Sequence, residues 1–290
     1  GFAEGPDQGG GRRGVDAGVA FGGKNDRLWR CAGRTSGRGR RRRPCGELAG
    51  VQRESSGRGG RDVSTLGAFR ILVADVQVPP SGAWFATVSL DSSTLPALGA
   101  TVLTIGDLQL PGSIIRTDWD DVPNGGRPIA TVRGGAGWRL PVKRAGSYSS
   151  SGGVKLSTVL TDLARMTGET TAPLVADLSL GVSFSWPAHA PLAPVHGDDV
   201  LADLVTRGFL ATWRIAPFTG RTEWSAWPAI GAADGRGRIT DRARDRGRRT
   251  VGLDVQVAAF LPGATLEGVT IARTLIHASA SELHAEVYET

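Results

Sequence analysis

From Phe69 onward the hydrophobic positions fall into short runs with a period of two. Trp84, Ala86, Val88 and Leu90 alternate with Phe85, Thr87 and Ser89, the pattern of a half-buried strand. Thr101 to Ile105 and Leu108 to Leu110 flank Gly106-Asp107, which predicts a hairpin with a two-residue turn. Pro128 to Val132 is a further strand behind the turn cluster Pro123-Asn124-Gly125-Gly126. Strands at this spacing predict an antiparallel barrel or sandwich.

The period then changes to 3.6. Leu156, Val159, Leu160 and Leu163 form one stripe of a helix, with Gly168 placed to take a left-handed cap. A second helix is expected over Val200, Leu201, Leu204 and Val205, capped by Asp198 or Asp199 and followed by Gly208. Between them Leu180, Val182, Phe184 and Trp186 read as a strand. Leu210 to Ile215 and Thr222 to Trp227 read as a hairpin around Pro217-Phe218-Thr219-Gly220. The β pattern returns in Val251 to Val257, Val269 to Ile276 and Leu283 to Tyr288. The last of these is expected to be closed by the two before it, because an open edge invites uncontrolled pairing.

The fold class is therefore mainly β, an antiparallel barrel or sandwich, with an inserted small α+β unit. The expected division is barrel residues 66–150, an inserted unit 151–230, a charged loop 231–250 and the rest of the barrel, 251–290. Residues 1–65 stand apart. They are rich in Gly and Arg and lack either apolar period, so a disordered tail is expected. No stretch approaches the length of a transmembrane helix, and no apolar run follows a basic start as in a signal peptide. The chain begins with Gly1 and not Met, which suggests processing, a fragment or a misplaced upstream boundary.

Charge sharpens this division. The 290 residues carry a net charge of +6, but residues 1–65 hold 14 Lys+Arg and 7 Asp+Glu, leaving 20 and 21 for the remainder. The folded part is thus near neutral and gives no electrostatic reason to expect a nucleic-acid-binding fold. Weak, non-specific nucleic-acid contacts could come only from the tail, at Arg38, Arg40, Arg41, Arg42 and Arg43. The segment 234–249 holds seven Arg and three Asp, and the interspersed acids favour a solvated loop over a ligand patch.

Candidate chemistry is sparse. Gly18 to Lys24 matches the first seven places of a phosphate loop, but Asn25 replaces the metal-binding hydroxyl and no strand precedes it. Gly134 to Gly137 lacks the context of a dinucleotide site. His189, His196, Asp198 and Asp199 are the best metal-ligand group, although both Asp have a competing capping role. Cys31 and Cys45 make a weak zinc pair. Asp118-Trp119-Asp120-Asp121 could stack a sugar or hold calcium, but a surface turn is favoured because the calcium-loop Gly and Glu are missing. Trp84, Trp186 and Trp213 lie within strand patterns and are expected in the core. His277 neighbours apolar Ile276, and His284 alternates with Leu283 toward solvent. No catalytic, cofactor or metal residue is assigned, no cofactor is expected, and the chain is not expected to be an enzyme.

Three stretches carry a resemblance. Val132-Arg133-Gly134-Gly135-Ala136-Gly137-Trp138-Arg139 leads into Ala145-Gly146-Ser147-Tyr148 and Gly153-Val154-Lys155-Leu156-Ser157-Thr158-Val159-Leu160. Leu261-Pro262-Gly263-Ala264-Thr265-Leu266-Glu267-Gly268-Val269 follows, and then the terminal strand His277 to Val287. This order resembles the baseplate hub or tail-tip proteins of bacteriophages and prophages, over residues 66–290. The resemblance implies β-barrel modules in an oligomeric ring, usually a trimer, between tail tube and spike. Its implied partners are tube, spike and tape-measure proteins, with no membrane anchor, in a virion tail assembled in the host cytoplasm. The alternatives are a nucleic-acid-associated protein using the Gly/Arg tail and the 236–249 Arg cluster, or a carbohydrate-binding or hydrolase module around Trp119 and His196.

Overall fold

The computed structural model describes residues 64–120, 126–142, 147–186 and 194–289. Six strands come first: β1 (Thr65–Leu66), β2 (Phe69–Val78), β3 (Phe85–Leu90), β4 (Gly99–Ile105), β5 (Leu108–Trp119) and β6 (Pro128–Arg133). They pair antiparallel in the order β1-β4-β5-β6-β3-β2, and β1 also pairs with β2, which closes the ring into a six-stranded barrel. Alternate residues fill it, among them Ala86, Val88, Leu90, Leu103, Ile105, Leu108, Ala130 and Val132, all fully buried. Gly106 makes the predicted turn between β4 and β5 with φ +57. A Cβ there would lie 2.4 Å from the Val255 carbonyl oxygen, so close approach and backbone conformation both require glycine. The barrel begins earlier than the expected tail boundary, since Thr65 already pairs with Arg70 and Thr104. Residues 1–63, to which the rest of the disordered-tail expectation belongs, lie outside the described residues.

The chain next builds a small α+β unit on the barrel. Its elements are β7 (Pro141–Val142), β8 (Ser147–Ser149), α1 (Leu156–Thr167), β9 (Ser183–Ser185), β10 (Val195–His196), α2 (Gly197–Thr206), β11 (Arg214–Ile215) and β12 (Thr222–Glu223). α1 buries the predicted stripe Leu156, Val159, Leu160 and Leu163, and Gly168 caps it at φ +71. The strands are shorter than their patterns suggest. Leu180 to Trp186 narrows to β9, which pairs with β8, and the 210–227 hairpin narrows to β11 and β12 around the expected loop. Trp213 is buried here, and the half-buried Trp224 and Trp227 pack against the core, so these tryptophans report packing and not ladder pairing. The Trp227 indole donates to the Pro79 carbonyl at 3.1 Å, the Trp213 carbonyl accepts from Gly82 at 2.6 Å, and both bonds tie this unit to the barrel. Trp84, Trp186 and Trp213 are buried as expected.

The last strands are β13 (Gly231–Ala232), β14 (Gly237–Ala243), β15 (Arg248–Leu253), β16 (Ala264–Leu266), β17 (Val269–Ser279) and β18 (Leu283–Glu289). The expected charged loop 231–250 is instead mostly the antiparallel hairpin β14–β15. Cross-strand ion pairs explain why so many Arg occupy strands. Arg242 and Arg249 both contact Glu267, Arg248 contacts Asp241 and Glu286, and Arg249 also contacts Glu289. The expected strand Val251 to Val257 ends at Leu253, because the chain then crosses to the barrel. There the Val255 carbonyl accepts from Asp107 at 3.0 Å, and the Asp107 carboxylate accepts from the Ala258 N–H at 2.9 Å.

The late strands join the early ones, but not by closing the same barrel. β17 pairs along β2 from Val73↔Ser279 to Val78↔Thr274, and the sheet continues β2-β17-β18-β15-β14. A register irregularity between Ile271 and Arg273 changes which residues of β17 point inward. Ile271 faces a second core with Val251, Phe260, Ala285 and Val287, whereas Ile276 and Ala278 belong to the main core. β18 is paired on both sides, to β15 and β17, so it is an interior strand as expected. Truncation after Ala280 is expected to destabilise the monomer itself, read as a lower midpoint in chemical denaturation. A truncated chain of unchanged stability would contradict this placement.

Candidate functional site

The end of β6 delivers Arg133 and then Gly134-Gly135 into a 3-10 turn, Ala136–Arg139, rather than the α-helix of a dinucleotide site. The Trp138 side chain of this turn is fully buried. Its indole donates to the Thr222 hydroxyl at 2.8 Å and meets the Trp213 and Trp224 rings edge-on at 6.3 and 6.2 Å. The Gly137 N–H donates to the Glu169 carboxylate at 2.6 Å. α2 begins against this turn at Gly197, where a Cβ would come within 2.9 Å of Trp138 and Thr167.

The predicted group His196, Asp198 and Asp199 gathers at the start of α2. The cap is His196, not Asp198 or Asp199. The Asp199 carboxylate accepts from the His196 N–H at 2.9 Å as the reciprocal half of a capping box. Asp198 turns to the barrel, where its carboxylate lies 3.2 Å from Arg133 and 3.6 Å from Arg139. Both carboxylates therefore have structural partners, and two guanidiniums offset the negative field that a divalent cation would need. Asp198 clamps α2 to β6. His189 lies outside the described residues.

Other predicted positions are dispersed. Asp118 and Trp119 end β5 rather than forming a surface turn. Trp119 is 42% exposed, and the Asp118 carboxylate accepts from Arg116 at 2.8 Å and from the Trp119 N–H at 2.9 Å. Those bonds, Arg116 foremost, hold the Asp118 carboxyl below its ordinary value. Asp121 lies outside the described residues, as do Cys31, Cys45, the Gly18–Lys24 stretch, and Arg38, Arg40, Arg41, Arg42 and Arg43. His284 is half-buried rather than open to solvent, because the His277 ring stacks on it at 4.9 Å. The Tyr148 hydroxyl is pushed up to about 12, chiefly by burial and then by Asp162. What these residues hold together is the fold itself, the barrel clamped to the inserted unit through Asp198 and the Trp138 cluster. The sequence marked Asp198 by its capping pattern, but nothing local marked Arg133 as its partner.

Neither family models nor curated proteins match the chain. Solved structures do. The 43 kDa tail protein of prophage MuSo2 from Shewanella oneidensis is 10% identical, with a TM-score of 0.51, over 78% of this chain and 96% of that one. A tail protein from Neisseria meningitidis MC58 is 12% identical, with a TM-score of 0.52, over 78% and 94%. The E. coli c3393 protein, a type VI secretion component described as similar to the T4 tail proteins gp27 and gp5, is 11% identical, with a TM-score of 0.50, over 78% and 74%. The chain thus has the fold of these tail proteins. Among the described residues no helix is long and apolar enough to cross a membrane.

The Glu169 contact yields a pH test. Burial raises its carboxyl above the ordinary 4.5, and the Gly137 hydrogen bond opposes that only in part. A carboxyl whose value is raised by folding binds its proton more tightly in the folded state. Its contribution to stability is full below the ordinary value and is lost as pH rises through the raised one. Glu169→Gln keeps the acceptor oxygen without the charge. The variant is expected to be more stable than the parent at neutral pH and equal to it in acid, measured by denaturation from about pH 3, below the ordinary carboxyl values, to about pH 8, well above them. A variant less stable at neutral pH would contradict this.

Proposed function

We propose that the protein is a structural component of a phage or prophage tail, a hub-like element of the tail tip that links tube to spike. The observation that carries this reading is the architecture: a closed six-stranded barrel sharing β2 with a second sheet, in the fold of three tail-type proteins. In this reading the chain is a non-enzymatic homo-oligomer in the virion tail, assembled in the host cytoplasm, with tube, spike and tape-measure proteins as neighbours. A ring of copies is the closed solution for head-to-tail contacts.

The structure does not favour the nucleic-acid alternative in its described part. Arg242, Arg248 and Arg249 of the second sheet are engaged by Glu267, Glu286, Glu289 and Asp241, which leaves little net positive field for phosphate. Co-expression of the full chain with the tube and spike proteins of its own genome tests the proposal. The expected result is a complex that survives size-exclusion chromatography, with several copies of this chain by multi-angle light scattering. A strict monomer at every concentration, with neither protein retained, would contradict it.

A further inference from the structure

Strand pairing brings together three residues that lie far apart in the sequence. Asp75 of β2 is the direct partner of His277 of β17, and His277 is the direct partner of His284 of β18. Directly opposed residues project to the same face with Cβ atoms about 4.5–5.5 Å apart. All three therefore stand in one row on the outer face of the sheet. The row overlooks an open basin of about 470 Å³ lined also by Phe85, Thr87, Leu275 and Glu286.

The orientation of the two imidazoles sets this row apart from an ordinary polar stripe. His277 Nδ1 lies 2.7 Å from the Asp75 carboxylate. A carboxylate only accepts, so Nδ1 carries a proton, and Nε2 is the nitrogen left to bind a metal in the neutral ring. His284 Nδ1 is shielded from water and lacks a hydrogen-bond partner, with a Glu282 carboxylate oxygen 3.4 Å away. The rings lie 4.9 Å apart and 33° from parallel. A carboxylate hydrogen-bonded to Nδ1, as Asp75 is to His277, is the arrangement that orients a histidine toward a metal through Nε2.

We infer that His277 and His284 form a two-histidine site for a borderline transition-metal dication, Zn2+ first, with Asp75 as a positioning residue and the remaining coordination places open to the basin. Imidazole nitrogen suits Zn2+ over the hard cations Mg2+ and Ca2+. Rings this close need only side-chain rotation to share one ion at the usual Zn–N length of about 2.0–2.1 Å. The site is separate from the His196 group, where Arg133 and Arg139 already offset Asp198. Bound metal would also cross-link β17 to β18 and stabilise the sheet by mass action.

The test uses the full chain with Cys31→Ser and Cys45→Ser, so that thiolates cannot compete. Zn2+ is titrated by calorimetry and by NMR of the imidazole nitrogens. One ion per chain is expected, with the Nε2 resonances of His277 and His284 moving and those of His189 and His196 unchanged. His277→Gln or His284→Gln is expected to weaken binding by more than tenfold, and Asp75→Asn by about tenfold, the usual effect of losing an orienting carboxylate. Mg2+ is expected to leave all four histidines unmoved. Zinc affinity that is unchanged in the His277→Gln/His284→Gln double variant would overturn the assignment. So would failure of both resonances to move at millimolar zinc.

Discussion

The pairing of β2 with β17 is the interaction on which the rest of the molecule depends. β2 is a barrel strand on one edge, against β3. On its other edge it completes the barrel through β1 for two residues and then opens onto β17. A register irregularity between Ile71 and Val73 lies just before the β17 pairing begins, and another in β17 between Ile271 and Arg273 lies just beyond its far end. Because side chains alternate with a period of two, each irregularity shifts which residues point inward, so that Ile71 is buried with Ala74 and Val76 on β2, and Ile271 with Thr274 and Ile276 on β17. β2 faces the main core throughout, whereas β17 serves both, with Ile276 in the main core and Ile271 in the second.

The other connections reinforce the same seam. The Gly106-Asp107 turn of the barrel holds the segment after β15 through Val255 and Ala258. The inserted unit is fixed by Asp198 to Arg133 and by the indoles of Trp138 and Trp227. Each of these polar contacts spans elements remote in sequence.

The period-two runs and the α1 stripe were legible because each pattern is set within a few residues. Where the sequence misled, a distant partner had overridden the local signal. The Arg-rich 234–249 segment looks solvated, yet becomes a hairpin because Glu267 arrives from the turn between β16 and β17, and Glu286 and Glu289 from β18, 18 to 40 residues beyond their partners. Asp198 and Asp199 look like caps, but the cap fell to His196 because Asp199 suits the reciprocal N3 position and Arg133 draws Asp198 to the barrel. The His277–His284 pairing follows from a tight turn at Ala280-Ser281, since Ser279 pairs with Glu282 and the register then counts back two residues on each side. Asp75 could not be added to that pair without knowing that β2 meets β17, two hundred residues away.

Native-state hydrogen exchange tests most directly whether this seam makes the barrel and the second sheet one body. If it does, amides of β2 from Val73 to Val78 and of β17 from Thr274 to Ser279 exchange only through global unfolding, at the same free energy as the barrel interior. Barrel and second-sheet amides that open at two separate free energies, with the seam following the weaker, would contradict the account.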